Sequence, residues 1–154
     1  MTTVAVLAAA VPMTSALAGS ATDRATGGGQ ILVGDKGAGD TIAFTARGTS
    51  AAATGQVQYV DRVGGIGKDQ TTYHGTVSCL NVMGNVAKIG GTFRDGSQFT
   101  ILVVDNGQGS AAEADTISYQ KTTDPSCGRK GEDNDAKAAL ARGNAQVYDA
   151  SATK

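Results

Sequence analysis

Few residues in this chain could do chemistry. It has one histidine, His74, and two cysteines, Cys79 and Cys127. A Ser-His-Asp triad would have to use His74, and no G-x-S-x-G nucleophile elbow accompanies it. His74 lies in a run of strand character, on the face opposite Tyr73. There its ordinary role is that of a solvent-facing or hydrogen-bonded histidine. Cys79 lies five residues further along the same run, so the thiol and the imidazole point to opposite faces. One histidine and two cysteines also fall short of the roughly four nitrogen or sulfur ligands of a structural zinc site.

The best polar constellation is Asp105-Asn106-Gly107-Gln108-Gly109, followed by Glu113 and Asp115. Carboxylate and amide oxygens on a glycine-rich loop suit a hard cation, and outside a cell that cation is Ca2+. Asp105, Asn106 and Asp115 are therefore candidate Ca2+ ligands. Asp35 and Asp40 could join only if the fold brings their loop near. The spacing does not match an EF-hand, and Asp-Asn-Gly also makes a good turn without any metal. No G-x-x-x-x-G-K-[ST] phosphate cradle occurs. Tyr59, Tyr73 and Tyr119 have inward strand parity, so they either pack in a core or line a pocket. No catalytic residue is assigned.

These residues must be positioned by a small domain. The chain has 154 residues, with 13 basic and 14 acidic side chains and a net charge of −1. That balance argues against nucleic acid as the main partner. Residues Val4 to Ala18, VAVLAAAVPMTSALA, are apolar, uncharged and too short for a membrane span of about 20 residues. They end in Ala16-Leu17-Ala18, the small-residue pattern of a secretory cleavage site, although no Lys or Arg precedes them. The chain thus reads as a signal peptide over 1–18, a linker over 19–26, one β domain over 27–149 and a tail over 150–154. Export to an oxidising compartment would pair Cys79 with Cys127, and no stable membrane span would remain after cleavage.

The pattern of the mature chain is β. Ile42, Phe44 and Ala46 alternate with Thr41, Ala43 and Thr45, and Val57 and Tyr59 alternate with Gln56 and Gln58. The run Thr71–Met83 changes phase between Cys79 and Leu80, which predicts a bulge near Cys79. Gly84-Asn85 and Asp95-Gly96 predict hairpin turns on either side of Val86–Phe93. Gln98–Asp105 is apolar on both parities and reads as a central strand buried on both faces. Asp115–Gln120 and Ala145–Tyr148 read as further strands, and Asn134–Arg142 as a short helix stopped by Gly143. Seven or eight strands with no interleaved helices predict an all-β fold, an antiparallel sandwich or small barrel, with a short C-terminal helix.

The order of GGGQILVG, DTIAFTAR, GQVQYVDR, YHGTVSCL, GNVAKIGGTF, FTILVVDNGQG and DTISYQ resembles the small secreted β domains of actinobacterial proteins called post-COAP. The resemblance covers about residues 27–127. It implies an exported antiparallel β domain and transfers no site residue. The first expectation for function is a secreted, non-enzymatic structural or binding module that meets a cell-surface or small-molecule ligand. The alternatives are a lipocalin-like cup for a small apolar ligand, or a cyclase or isomerase built on one, and a small hydrolase using surface carboxylates. A packed interior of Phe44, Val57, Tyr59, Phe99, Ile101 and Val103 favours the module, and a cavity above about 300 Å3 favours the cup.

Overall fold

A computed structural model describes residues 22–31, 39–62, 70–109, 111–128 and 138–152. The expected signal peptide, the turn containing Asp35 and the first residues of the expected helix lie outside them. Eight strands follow one another: β1 (Asp23–Ile31), β2 (Asp40–Gly48), β3 (Ala53–Asp61), β4 (Thr71–Met83), β5 (Val86–Phe93), β6 (Gln98–Val104), β7 (Thr116–Thr122) and β8 (Ala138–Tyr148). Each pairs antiparallel with the next, and β8 pairs back onto β1, which closes the barrel.

Alternation along each strand sends one set of side chains inward. Ile42, Phe44, Ala46, Val57, Phe99, Ile101, Val103 and Ile117 are all buried there. The aromatic rings need room, and glycines on neighbouring strands leave it. A Cβ on Gly75 would lie 2.7 Å from the Phe99 ring, and one on Gly91 2.6 Å from it. The predicted bulge is present, as the β4–β5 register shifts between Val77 and Cys79. It turns Cys79 outward while Leu80 and Val82 stay in the core. Gly96, with φ +84°, closes the β5–β6 turn through an N–H that donates to the Phe93 carbonyl at 3.0 Å.

Cys79 and Cys127 form a disulfide, with Cα atoms 5.8 Å apart and 48 residues between them in sequence. The segment after β7 crosses the outer face of β5 to reach β4. A Cβ on Gly90 would collide with the Pro125 carbonyl, and Asn81 Nδ2 donates to the Cys127 carbonyl at 2.9 Å. Closing such a loop stabilises by about 4 kcal/mol in the chain-entropy model.

Three expectations change. Residues 138–142 are strand, not helix, and no helix occurs among the described residues. The alanine-rich run has helix propensity, but that is worth only tenths of a kcal/mol per residue. Pairing with β1 satisfies a whole row of backbone groups and closes an exposed sheet edge. Gly143, expected as a helix stop, lies in β8, where a Cβ would collide with the Gly28 carbonyl. The second change concerns β6, which is not buried on both faces. Leu102 and Val104 point outward and are half-buried, because a closed barrel has one interior. Thirdly, β1 starts at Asp23, inside the stretch that reads as a linker. Its triple glycine carries no apolar periodicity, and the backbone pairing with β2 and β8 supplies the missing signal.

Candidate functional site

Successive strands alternate in direction, so the barrel has two ends. At one end β2 begins with Asp40, β3 ends with Tyr59 to Asp61, β4 begins near Tyr73 and β7 carries Tyr119. Asp40 shares the inward parity of Ile42 and Phe44, and the three tyrosines also face inward. The β2–β3 and β3–β4 registers place Tyr59 one step from Asp40 and directly opposite Tyr73.

Asp40 is buried, at 5% exposure. Its Oδ2 accepts a short hydrogen bond from the Tyr59 hydroxyl, and its Oδ1 accepts the Arg62 N–H at 2.8 Å. The Tyr59 ring stacks on Tyr119 with centroids 4.3 Å apart, and tilts against Tyr73 at 6.1 Å. Phe93 and Phe99 continue the aromatic column below, with centroids 4.5 Å apart. At the rim the Lys121 ammonium lies 5.2 Å from the Tyr73 ring centroid, a cation–π distance. A recess of about 210 Å3 opens here, lined by Ile31, Asp40, Tyr59, Ile117, Tyr119 and Ala138 among others.

Burial and neighbouring charge keep the two phenols of this recess protonated. Desolvation raises the Tyr59 phenol well above its ordinary value, and the Asp40 carboxylate adds to the shift by hydrogen bond and charge. Tyr119 is pushed up to about 12, first by burial and then by the neighbouring Tyr73 and acidic groups. Both phenols therefore act as neutral hydrogen-bonding groups. Asp40 keeps acceptor capacity beyond its two bonds, because a carboxylate has about four lone-pair positions.

No family model, curated protein or solved structure matches the chain.

The other singled-out residues fall elsewhere. Asp105, Asn106 and Asp115 do come together, at the opposite end of the barrel. Asp115 Oδ1 accepts the Asn106 N–H at 2.9 Å and Oδ2 the Ala145 N–H at 2.7 Å. Asp105 Oδ1 accepts the Gly107 N–H and Oδ2 the Val147 N–H, at 2.9 and 3.0 Å. Asn106 Nδ2 donates to the Ala114 carbonyl. All four carboxylate oxygens thus face backbone donors. The reason lies in the sheet, where β7 pairs with β8 only through Thr116–Ala139 and Ile117–Ala138. Below that point β8 has no strand on its β7 side, and there the two aspartates accept its Ala145 and Val147 N–H groups. Among the described residues no group of three or more His, Cys, Asp or Glu side chains is placed to hold a metal ion.

His74 is exposed on the outer wall, opposite in face to Tyr73. Both cysteine sulfurs are committed to the disulfide. Asp95 is exposed and Asp149 half-buried, and both are held below the ordinary carboxylate range by hydrogen bonds from Ser97 and Ser151, with Asp149 lowered to about 2. That direction is opposite to what a general acid requires. Among the described residues no helix is long and apolar enough to cross a membrane.

Sequence reasoning treated Asp40 only as a possible accessory metal ligand. A signal was present: Asp40 stands two residues before Ile42 and four before Phe44, so its parity is inward. An acid with inward parity at a strand start marks a barrel mouth once the barrel is known.

Proposed function

We propose that this protein is a non-enzymatic binding module working outside the cytosol. Its tyrosine-lined end would take up a small planar ligand that carries a hydrogen-bond donor, such as a phenol or an aromatic amine. The observation that carries this reading is the buried Asp40 carboxylate joined to the Tyr59 hydroxyl beside the stacked Tyr59 and Tyr119 rings. A flat ligand ring can continue that stack, and its donor can reach the remaining acceptor positions of Asp40. The recess of about 210 Å3 sets the ligand at roughly one ring. It lies below the range of about 300–1,000 Å3 usual for drug-sized pockets, and the six residues expected to fill a packed barrel are buried. Both facts favour the module over a deep apolar cup.

The disulfide, the short apolar N-terminal run and the resemblance to post-COAP domains support export. Mass spectrometry of secreted material should show loss of residues 1–18, and an intact N-terminus in the medium would defeat the reading of 1–18 as a cleaved signal peptide.

The binding test uses an intrinsic probe. The chain has four tyrosines and no tryptophan, so its ultraviolet fluorescence comes from tyrosine, and three of the four stand in this site. Titration with single-ring phenols and anilines should quench that fluorescence saturably, whereas cyclohexanol should not. Tyr59→Phe should weaken the response. If no aromatic ligand perturbs the tyrosines of the folded protein up to millimolar concentration, the reading fails.

A further inference from the structure

Neutral donors alone hold the buried carboxylate at the tyrosine-lined end. Among the described residues Asp40 accepts from the Tyr59 hydroxyl and from the Arg62 backbone N–H, and neither carries a charge. These bonds satisfy the oxygens but do not balance the negative charge. A buried carboxylate is ordinarily paired with a cation, because taking a charge out of water is costly. Asp40 is 5% exposed, and it lines the recess of about 210 Å3. The space next to this charge is therefore open to something that enters.

Further acids flank the recess. Asp61 has the inward parity of Tyr59, and Asp95 stands in the β5–β6 turn. Burial is the first cause of both raised phenols, and acids add to it. The hydrogen bond and charge of Asp40 and the charge of Asp61 act on Tyr59, and, after Tyr73, Asp95 and Asp61 act on Tyr119. Two arginines stand at the same end but are directed elsewhere. Arg62 is exposed and meets Asp40 through its backbone, and Arg94 lines a groove on the outer wall beside His74. Lys121 is different. It has the inward parity of Ile117 and Tyr119, and its Nζ lies 5.2 Å from the Tyr73 ring centroid. The same ammonium is within electrostatic reach of Asp95, yet it is not among the partners of Asp40. The chain's own rim thus already places an ammonium on one of these aromatic faces.

We infer that the tyrosine-lined end takes a protonated amine carried on a single ring, an arylalkylammonium of the benzylamine class, and that Lys121 competes with it for the aromatic face. The inference rests on the reading of this end as a ring-binding site and names the charge of what enters. An ammonium supplies the cation that Asp40 lacks and donates to its remaining acceptor positions, in charge-assisted bonds about twice as strong as neutral ones. The tyrosine faces add cation–π attraction. A neutral phenol fills the same space but leaves the Asp40 charge unbalanced. A ligand carboxylate meets Asp40, Asp61 and Asp95 with like charge. A bare metal ion lacks the ligand cluster it needs among the described residues.

Ligand-observed NMR of the folded protein compares benzylamine, benzyl alcohol and benzoate, which share one ring and differ in charge at neutral pH. Benzylammonium should bind about tenfold more tightly than benzyl alcohol, a gap that added salt narrows, and benzoate should bind most weakly. Lys121→Gln should tighten benzylammonium about threefold and leave benzyl alcohol unchanged, while Lys121→Arg should match the parent. Asp40→Asn should erase the preference for the amine. Circular dichroism confirms folding, and if Asp40→Asn does not fold, Asp61→Asn is read in its place and should narrow the preference. Benzyl alcohol bound as tightly as benzylammonium would overturn this inference and leave the ring-binding reading standing. Failure of all three ligands to bind would overturn both. Amine binding that is unchanged or weaker in folded Lys121→Gln would overturn the competition with Lys121.

Discussion

Two aspartates are buried among the described residues, one at each end of the barrel, and they do different work. Asp115 accepts only backbone N–H groups, from Asn106 and Ala145. Asp40 accepts one backbone N–H, from Arg62, and one side-chain hydroxyl, from Tyr59, and it borders an open recess. Among the described residues no buried side-chain polar atom lacks a partner, so neither carboxylate is an unsatisfied group awaiting a ligand. What differs is the identity of the partners. Backbone donors hold a strand in place, whereas a phenol beside a cavity is placed to be shared with something that enters. Burial of an acid alone does not separate a structural role from a binding one.

Replacing Asp115 should produce the largest change. Asp115→Ala leaves the N–H groups of Asn106 and Ala145 without acceptors at the β7–β8 seam, at a cost of about 3 kcal/mol in denaturant unfolding. Aromatic ligands should bind this variant as they bind the parent while it remains folded. Tyr59→Phe should show the reverse pattern, with stability lowered by only about 1 kcal/mol and quenching by single-ring phenols much weakened. If Asp115→Ala abolishes ligand binding in folded protein, or Tyr59→Phe leaves it intact, the contrast between the two ends collapses.

Alkaline pH isolates the tyrosine end. Tyr119 has a folded value near 12 against an ordinary 10.0, and Tyr59 is shifted in the same direction. A raised phenol pKa means that the unfolded chain gives up its proton first. The stabilisation is therefore complete below pH 10 and is lost as pH rises from 10 through 12. Thermal melts should show the midpoint falling over that interval, with a smaller fall for Tyr119→Phe. The smallest effect belongs to calcium. With the oxygens of Asp105 and Asp115 facing backbone donors, millimolar Ca2+ or EDTA should leave the melting midpoint unchanged. A stabilising shift would restore the cation reading of that loop.

Much of the fold was legible in the chain. The alternation at Ile42, Phe44 and Ala46, the phase change near Cys79 and the glycine turns at 84 and 96 all appear where the pattern placed them. The candidate sites were legible only as ingredients. Tyr59, Tyr73 and Tyr119 were recognised as inward-facing, and Asp105 and Asp115 as a polar pair. Neither the stack of the first three nor the N–H partners of the last two could be read. The failure at β8 is the most instructive. Ala138–Arg142 looks helical by itself, and its strand state depends on the edge that β1 presents, more than a hundred residues earlier.

By itself, the amino-acid sequence determined the faces, the turns and the one pair of cysteines available to each other, because side-chain parity and turn geometry act within a few residues. Tertiary structure alone decided that β8 closes on β1 and that Asp40 meets Tyr59 inside. Those are relations between strands, set by backbone hydrogen bonding and barrel closure, and no local stretch of chain encodes them.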